Sequence, residues 1–270
     1  VMDQQPSITD GSGKAAGSPA NAVKVSFRDA NLRYAGAGAD SLSDITFDVA
    51  PGETVGIIGG TGSGKSSLVN MIPRFYDASQ GSVCIDGVDV KDYTLDELRH
   101  KVGVVPQKAV LFAGTIADNI RWGKQDATEA EIDEALEIAQ AKEFVDGKEN
   151  GIYFKITQGG KNLSGGQKQR LTIARAVVRK PEILILDDSA SALDFATDAA
   201  LRKAIREKTK GMTVFLVSQR ASTIMNSDKI IVMDDGQIAG IGTHRQLLSN
   251  CEIYREICQS QLSEEELSHE

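Results

Sequence analysis

The sequence predicts a mixed α/β fold with a mostly parallel sheet covered by helices on both sides. The main observation is an alternation between short apolar runs, of the length of buried strands, and longer stretches with helical periodicity. A second observation is a glycine-rich loop between one apolar run and a helical stretch, which is a strand–loop–helix order. The apolar runs lie at residues 55–58, 102–105, 183–186, 213–217, 229–233 and 237–240.

Further strands and one inserted block complete the predicted organisation. Residues 23–27 and 45–49 alternate apolar and polar side chains, as half-buried strands do, and residues 81–87 indicate a strand closed by a turn. From about residue 108 to residue 180 the pattern is mostly helical. Residues 128–140, for example, carry apolar side chains at the spacing of one helix face. This block predicts a helical subdomain inserted between strands of the sheet.

Composition narrows the function classes. The 270 residues are 41% hydrophobic and 25% charged, which is ordinary for a globular protein with a core. The formal net charge of −8 argues against a nucleic-acid surface, where a basic stripe is expected. Three cysteines without metal-site spacing favour a reducing compartment. No apolar run reaches the ~18 residues of a membrane helix, and no signal-peptide pattern is present.

Both ends of the chain differ from its centre. Residues 1–22 are rich in Gly, Ser, Ala and Pro, which is typical of a linker, with an expression tag as the alternative for part of it. Because the chain begins with Val1 rather than Met, we expect it to be a piece of a longer protein. The last residues carry an acidic run, which predicts a frayed, solvated terminus.

The glycine-rich loop, residues 59–66, reads G-x-x-x-x-G-K-S, the P-loop or Walker A pattern. An apolar strand precedes the loop and a helix-compatible stretch follows it, which is the context that the motif requires. Glycines let successive backbone N–H groups face one concavity, and the following helix directs its positive end to the same place. The alternative, a Gly/Ser linker with a chance Lys-Ser pair, does not account for the flanking strand and helix.

This loop predicts a site for ATP with Mg²⁺. We expect Lys65 to reach the β- and γ-phosphates and the Ser66 hydroxyl to ligate Mg²⁺. The residues of this stretch that we predict to bind nucleotide are Gly60, Thr61, Gly62, Ser63, Gly64, Lys65, Ser66 and Ser67.

A carboxylate for the metal is predicted at the end of the run at residues 183–186. Asp187 follows these four apolar residues at the carboxyl edge of a strand, where ligands bind in parallel sheets. It would hold Mg²⁺ through water, as a Walker B acid does. A helix N-cap is a reasonable alternative for Asp188 or Ser189 alone, but it does not account for the whole pattern.

A second motif, residues 162–171, reads N-L-S-G-G-Q-K-Q-R-L. Locally it predicts a capping box, in which Ser164 caps a helix and Gln167 reaches back to it. The capping box leaves the pair Gly165 and Gly166 unexplained, and such a pair at a helix N-terminus suits a phosphate. The run strongly resembles the signature of the ATP-binding-cassette (ABC) ATPases. With Walker A before it and Walker B after it, the resemblance extends from about residue 23 to residue 250.

The resemblance implies an α/β P-loop NTPase core with a mostly parallel sheet, an antiparallel β subdomain and an inserted helical subdomain. In this family two cassettes pair head to tail, and the signature of one closes over ATP on the Walker motifs of the other. The signature residues therefore join the predicted nucleotide-binding set: Ser164, Gly165, Gly166 and Gln167.

Other positions match the family's motifs one by one. Tyr34 resembles the aromatic A-loop residue that stacks on adenine, a contact worth about 1–3 kcal/mol, although a tyrosine after a strand is more often a packing residue. Gln107 matches the Q-loop glutamine, which in this family senses Mg²⁺ and contacts the membrane domains. It therefore belongs to the predicted nucleotide and metal sites. Residues 158–160 match the X-loop of exporters. Residues 191–194 match the D-loop, which crosses the dimer interface.

Two predicted catalytic positions depart from the family pattern. Asp188 stands where the family has glutamate, the base or positioner for the attacking water, and Gln219 stands where the switch loop has histidine. Aspartate is one methylene shorter, and a displacement of about 1 Å can reduce a rate roughly a hundredfold. Glutamine keeps a donor and an acceptor but does not titrate. Lys65, the third predicted catalytic residue, keeps the family pattern, so we expect nucleotide binding to survive and the chemical step to be weakened.

These departures resemble the degenerate half of a heterodimeric ABC exporter, whose partner carries the intact glutamate and histidine. The exporter assignment also uses residues 95–99 and 111–120, which resemble runs before and after the Q-loop. The alternatives are neutral drift in a catalytically competent homodimer, a non-hydrolysing regulatory cassette, and an ABC ATPase of DNA maintenance or translation. The short, acidic span between the Walker motifs argues against the last of these.

The resemblance also sets the expected partners and domain organisation. We expect a second, non-identical cassette and transmembrane domains as partners, no nucleic acid, a mostly monomeric isolated chain, and a place on the cytoplasmic face of the cell membrane. Residues 1–22 would be a linker from a missing transmembrane domain. Residues 23–250 would form the ABC domain, with its helical subdomain at about 108–180, and residues 251–270 a C-terminal helix and acidic tail.

Overall fold

The computed structural model describes residues 8–13, 23–189 and 191–263. Most of the predicted linker and the acidic end of the predicted tail lie outside the described residues. The chain divides into two compact units, one from Val1–Val102 together with Gln219–Glu270 and the other from Gly103–Ser218. The predicted mixed α/β fold is confirmed.

The strands and helices follow the predicted alternation along the chain. The strands are β1 (Val25–Leu32), β2 (Leu42–Val49), β3 (Thr54–Gly59), β4 (Gln80–Ile85), β5 (Val88–Asp89), β6 (Val102–Val105), β7 (Gly114–Thr115), β8 (Lys155–Ile156), β9 (Ile183–Asp187), β10 (Thr213–Val217), β11 (Lys229–Asp234) and β12 (Gln237–Gly242). The helices are α1 (Lys65–Met71), α2 (Leu95–Lys101), α3 (Ile116–Arg121), α4 (Glu129–Ile138), α5 (Lys142–Asp146), α6 (Gly165–Val177), α7 (Phe195–Lys208), α8 (Ala221–Ile224), α9 (His244–Asn250) and α10 (Glu252–Gln261).

An antiparallel sheet in the first unit has the strand order β2-β1-β4-β5. Phe27 of β1 lies opposite Phe47 of β2, and their rings stack with centroids 4.6 Å apart. Both side chains are buried, because alternate residues of these strands face the core. The antiparallel β subdomain that the family resemblance implies is therefore present.

The first unit also contains the strand that carries the Walker A loop. β3 runs parallel to β11, with Ile57 opposite Ile231, and β12 pairs antiparallel with β11. Five of the six residues of β3 are buried, as expected of a strand covered on both faces. Helix α8 packs on β3 at Gly56, where an added Cβ would lie 2.7 Å from the Cβ of Ile224. β3 is therefore held by the packing of helix α8 as well as by the neighbouring strand β11.

A short part of the predicted linker contacts the first unit. The amide of Gly11 donates to the carbonyl of Tyr93 at 3.0 Å, and the Asp10 carboxylate accepts from the amide of Leu95, the first residue of α2, at 2.8 Å. A Cβ on Gly11 would come within 2.4 Å of the Tyr93 carbonyl oxygen. Only glycine fits this close approach. The two hydrogen bonds attach residues 8–13 to the unit despite their linker-like composition.

The second unit contains β9 flanked by β10 and β6. β9 and β10 are parallel, entirely buried and in a register that places Val217 opposite Asp187. Helices α3 and α4 pack against α6. The predicted helical block also contains a small antiparallel ribbon of β7 and β8, which the sequence did not predict because two residues per strand are too few to show alternation. None of the described helices combines the length and apolar character needed to cross a bilayer.

The contact between β11 and the end of β3 gives a test of how the Walker A loop is held. A Cβ on Gly59 would lie 2.1 Å from the carbonyl oxygen of Met233, a backbone atom that cannot move aside alone. We expect Gly59→Ala to lower the free energy of unfolding by about 2 kcal/mol or more. Gly60→Ala is the matched control, because a Cβ there meets no atom within 4 Å. Urea unfolding without nucleotide measures both, and equal midpoints for the two variants would contradict the account.

Candidate functional site

The Walker A loop joins the end of β3 to the start of α1 in the first unit. Gly62 and Gly64 have φ values of 84° and 95°, in the left-handed region that glycine adopts without strain. Gly64 occupies the N-cap position of α1, and no side chain caps the helix. An added Cβ at Gly60 or Gly62 would meet no atom within 4 Å. The loop thus leaves an open cradle at the N-terminal end of α1, which fits a phosphate group.

Lys65 is folded back over this loop. Its ammonium group donates to the carbonyl oxygens of Gly59 at 2.8 Å and Gly60 at 2.7 Å, and to the Ser63 hydroxyl at 3.3 Å. The side chain is only 8% exposed. A positive charge is therefore held against the loop, where it would meet the phosphates of a nucleotide.

Contacts with distant parts of the first unit hold the loop in shape. The amide of Gly236, in the turn between β11 and β12, donates to the Ser63 carbonyl at 3.3 Å. A Cβ on Gly64 would lie 2.7 Å from the Cδ2 of Leu42 in β2. The turn between β11 and β12 and the strand β2, both outside the motif, therefore hold the Walker A loop in place.

The structure brings the predicted adenine-stacking residue to the Walker A helix. The Tyr34 hydroxyl forms a hydrogen bond with the Ser67 hydroxyl at 2.7 Å. Tyr76 meets the Tyr34 ring edge-on, with centroids 4.8 Å apart. Tyr34 is half-buried, so part of its ring surface is accessible to a base.

At the carboxyl end of β9, Asp187 is buried and Asp188 is half-buried. Asp188 has a φ of 46°, a left-handed conformation that aspartate tolerates, and its amide donates to the Val217 carbonyl at 2.9 Å. Its carboxylate accepts a hydrogen bond from the Gln107 side chain at 3.1 Å. The structure thus joins the predicted Q-loop glutamine to the position where the family has glutamate.

The donor set of the predicted metal residues fits Mg²⁺. Ser66, Gln107 and Asp187 all offer oxygen ligands, which this cation prefers. Mg²⁺ is commonly held by one or two carboxylates together with substrate phosphates. Among the described residues there is no group of three or more His, Cys, Asp or Glu side chains that could hold a metal alone. The chemistry of these residues therefore suits a metal that arrives with a nucleotide.

The signature motif forms the start of α6 in the second unit. The Ser164 hydroxyl accepts from the Gln167 amide at 3.2 Å, and the Gln167 side chain accepts from the Ser164 amide at 3.1 Å, so the predicted capping box is present. A Cβ on Gly165 would meet no atom within 4 Å, whereas one on Gly166 would lie 3.2 Å from the Ala192 carbonyl oxygen. The start of α6 therefore has open space at the exposed Gly165 and close contact with the D-loop at the half-buried Gly166.

Residues 42–191 match the family described as ABC transporter, which is more than half of the chain. The chain belongs to the ABC transporter family. The predicted fold class and the predicted ABC-type ATPase assignment are thereby confirmed.

Several relatives resemble this ABC cassette over most of its length. An uncharacterized ABC transporter ATP-binding protein of Mycobacterium tuberculosis is 45% identical over 240 residues, which are 88% of this chain and 41% of that protein. A probable multidrug resistance ABC transporter ATP-binding/permease protein of Bacillus subtilis is 44% identical over 232 residues, 86% of this chain and 40% of that protein. An ATP-dependent lipid A-core flippase of Hahella chejuensis is 41% identical over 242 residues, 89% of this chain and 41% of that protein.

A solved structure agrees with these relatives. The structure of a bacterial Atm1-family ABC exporter with ATP bound superimposes with a TM-score of 0.91 and 35% sequence identity, covering 97% of this chain and 46% of that chain. The cassette thus spans less than half the length of the proteins it matches.

Sequence reasoning missed side chains that hold the motif loops of the cassette. Gln169 of α6 is 2% exposed and donates to the Pro106 carbonyl at 3.4 Å, directly before Gln107. Arg175 of the same helix donates to the Val110 carbonyl at 2.9 Å. The one feature of the sequence that could have indicated these contacts was a polar residue on a helix face that is otherwise apolar.

The D-loop ends in a titrating helix cap that predicts a pH effect. Asp194 caps α7, and its carboxylate accepts from the Thr197 amide and hydroxyl, both at 2.9 Å. These bonds, the backbone one first, lower the pKa of Asp194 below its ordinary value of 3.8. The stabilisation is therefore complete above the unfolded pKa and is lost as the pH falls through the folded pKa.

We expect the Tm difference between wild type and Asp194→Ala to be constant near neutral pH and to shrink as the pH approaches 3, because the protonated cap no longer favours the folded state. Asp194→Asn is the control, since asparagine caps helices without titrating. Its Tm difference from Asp194→Ala should stay level over the same range. Thermal unfolding followed by circular dichroism from pH 7 to pH 3 measures these differences. A wild-type difference that does not change with pH would rule out the cap as the titrating group.

Proposed function

We propose that this chain is the ATP-binding cassette of an ABC exporter and that it works with transmembrane domains and a second cassette. The observation that carries this proposal is the Walker A loop, in which the Lys65 ammonium lies against loop carbonyls beside an open cradle at Gly60 and Gly62. The names of the similar flippase and multidrug resistance proteins support export as the process that ATP drives. The greater length of those relatives supports transmembrane partners.

In this proposal the predicted site residues divide the contacts with the nucleotide and its metal among them. Lys65 and the loop amides bind the phosphates, and Tyr34 stacks on the base. Ser66, Asp187 and Gln107 would hold Mg²⁺, which when bound neutralises charge on the phosphate oxygens. The remaining predicted contacts are Thr61, Ser63, Gly64 and Ser67 of the Walker A stretch.

We further propose that hydrolysis at this chain's own site is impaired. The Asp188 side chain is one methylene shorter than glutamate, and one of its carboxylate oxygens already accepts a hydrogen bond from Gln107 at 3.1 Å. That bond occupies one of the acceptor positions that could otherwise orient a water molecule. Gln219 can donate to the terminal phosphate, where charge develops during transfer, but it cannot exchange a proton. Binding of ATP with slow turnover follows from these two side chains.

The signature of this chain would then serve a partner with intact catalytic residues. Ser164 and Gly165 are exposed at the start of α6, and the space at Gly165 is open enough for a phosphate oxygen to approach the helix N-terminus. We propose a non-identical cassette as the partner, with a catalytically competent homodimer and a non-hydrolysing regulatory cassette as the alternatives. In the absence of a partner, the isolated chain should be mostly monomeric.

The same proposal gives the domain organisation and location. Residues 1–22 link the cassette to a transmembrane domain, residues 23–250 form the ABC domain with a helical subdomain at about 108–180, and residues 251–270 contribute a C-terminal helix and tail. The assembled transporter places the cassette on the cytoplasmic face of the cell membrane.

Nucleotide binding is tested with Lys65→Ala. We expect this variant to lose detectable binding of a fluorescent ATP analogue in the presence of Mg²⁺, because the charge that faces the phosphates is removed. Lys210→Ala, at an exposed lysine, is the control and should bind as the wild type does. Fluorescence anisotropy measures both. Unchanged affinity in Lys65→Ala would refute the assigned site.

The division of labour is tested in the reconstituted two-cassette transporter. We expect Gly165→Ala to reduce substrate-stimulated ATPase activity by about 10²–10³-fold, the effect of disturbing one preorganised donor at the partner's reacting phosphate. The change should leave α6 intact, since a Cβ at Gly165 meets nothing in the chain itself. Asp188→Asn should change turnover little. If Asp188→Asn abolishes turnover while Gly165→Ala remains active, Asp188 is a working catalytic base and the impaired-site proposal is wrong.

A further inference from the structure

The switch-loop segment between β10 and α8 has little local structure to fix it. Gln219 is exposed, and Arg220 occupies the N-cap position of α8 without a side-chain cap hydrogen bond. The helix itself is only four residues long. Isolated turns of this length are not stable by themselves, so the conformation at Gln219 depends on contacts from elsewhere.

One side chain from the C-terminal helix contacts this segment twice. The Gln261 side-chain carbonyl accepts from the Ala221 amide at 2.8 Å, and its side-chain amide donates to the Gln219 carbonyl at 2.8 Å. Only one orientation of the carboxamide satisfies both partners, because the first needs an acceptor and the second needs a donor. The carboxamide therefore spans Arg220 and binds the backbone on both sides of it.

The helix that carries Gln261 is firmly attached to the first unit. Tyr254 and Cys258 are fully buried, and the Tyr254 hydroxyl forms a 2.8 Å hydrogen bond with the His244 ring. Gln261 lies seven residues after Tyr254 and three after Cys258, so these three residues share one face of α10. The face that anchors the helix also delivers the carboxamide to the switch loop.

The other end of α8 is fixed on the strand that leads to the Walker A loop. Gly56 of β3 approaches Ile224 so closely that a Cβ would lie 2.7 Å from the Ile224 Cβ. α8 is thus held at its C-terminal end by β3 and at its N-terminal end by Gln261. Holding the Gln219 carbonyl restrains the peptide plane that follows Gln219, and this restricts the ψ angle of Gln219 and the direction in which its side chain leaves the backbone.

We propose that Gln261 is a positioning residue that orients the Gln219 side chain toward the terminal phosphate of a nucleotide on the Walker A loop. This inference rests on the proposed function, in which Gln219 donates to that phosphate. Gln261 itself does not touch the nucleotide. Its removal should therefore weaken the preference for a triphosphate over a diphosphate and leave the affinity for the shared part of the nucleotide unchanged.

The experiment compares the Kd values of this chain for ADP and for the non-hydrolysable triphosphate AMP-PNP, each with Mg²⁺, by titration calorimetry. We expect Gln261→Ala to reduce the preference for AMP-PNP about five- to tenfold, the size of one lost hydrogen bond. The Kd for ADP should stay the same. Gln259→Ala is the matched control, because Gln259 is an exposed glutamine of the same helix. It should behave as the wild type.

Two further variants separate positioning from stability. Gln261→Glu keeps the acceptor for the Ala221 amide but replaces the donor to the Gln219 carbonyl with a carboxylate oxygen. It should still fold, with cooperative thermal unfolding, yet lose the triphosphate preference as Gln261→Ala does. The double variant Gln219→Ala/Gln261→Ala should show no more loss than Gln219→Ala alone, because Gln261 acts through Gln219.

The results distinguish the positioning role of Gln261 from the role of Gln219 on which it rests. If Gln219→Ala leaves the triphosphate preference unchanged, the proposed role of Gln219 is wrong. If Gln219→Ala reduces the preference but Gln261→Ala or Gln261→Glu binds as the control does, the positioning role of Gln261 is wrong. Additive losses in the double variant would also overturn it. Should Gln261→Ala fail to fold, Gln261→Glu decides the question by itself.

Discussion

The close backbone approach at the end of β3 is the constraint on which the rest of the first unit depends. The carbonyl of Met233 lies where a side chain on Gly59 would begin, and Leu42 occupies the corresponding space at Gly64. These contacts bring β2 and β11 against the Walker A loop and leave its outer side open. Because Met233 and Leu42 support the loop on its inner side, the Lys65 ammonium can lie on the loop carbonyls while the space at Gly60 and Gly62 stays open.

In the second unit a buried pair of strands holds the predicted metal-binding carboxylate. β9 and β10 are buried along their whole length, so their register is strongly specified and Asp187 is held at the end of the sheet beside Val217. Asp188 turns into the left-handed region immediately afterwards, which directs its carboxylate to Gln107. A rigid strand end thus presents one buried and one half-buried acid in sequence.

Side-chain amides of distant helices hold two of the motif loops. Gln169 donates to the carbonyl of Pro106, the residue before the Q-loop glutamine, and Gln261 donates to the carbonyl of Gln219 in the switch loop. In both cases a glutamine that is remote in sequence fixes a backbone carbonyl next to a functional side chain. An amide suits this role because it supplies a donor without introducing a charge that would compete for a nucleotide's phosphates.

Local residue patterns by themselves determined much of this protein. The strand–loop–helix at residues 54–71, the capping box at Ser164 and the buried run before Asp187 all follow from interactions within a few residues, so their sequence patterns predicted them correctly. The family also followed from the order of these motifs. Tertiary structure alone decided the bond between Gln107 and Asp188, the contact of residues 8–13 with α2, and the position of Gln261 at the switch loop. Each of these joins residues 40 or more positions apart, and no local propensity or periodicity specifies which distant side chain completes a loop.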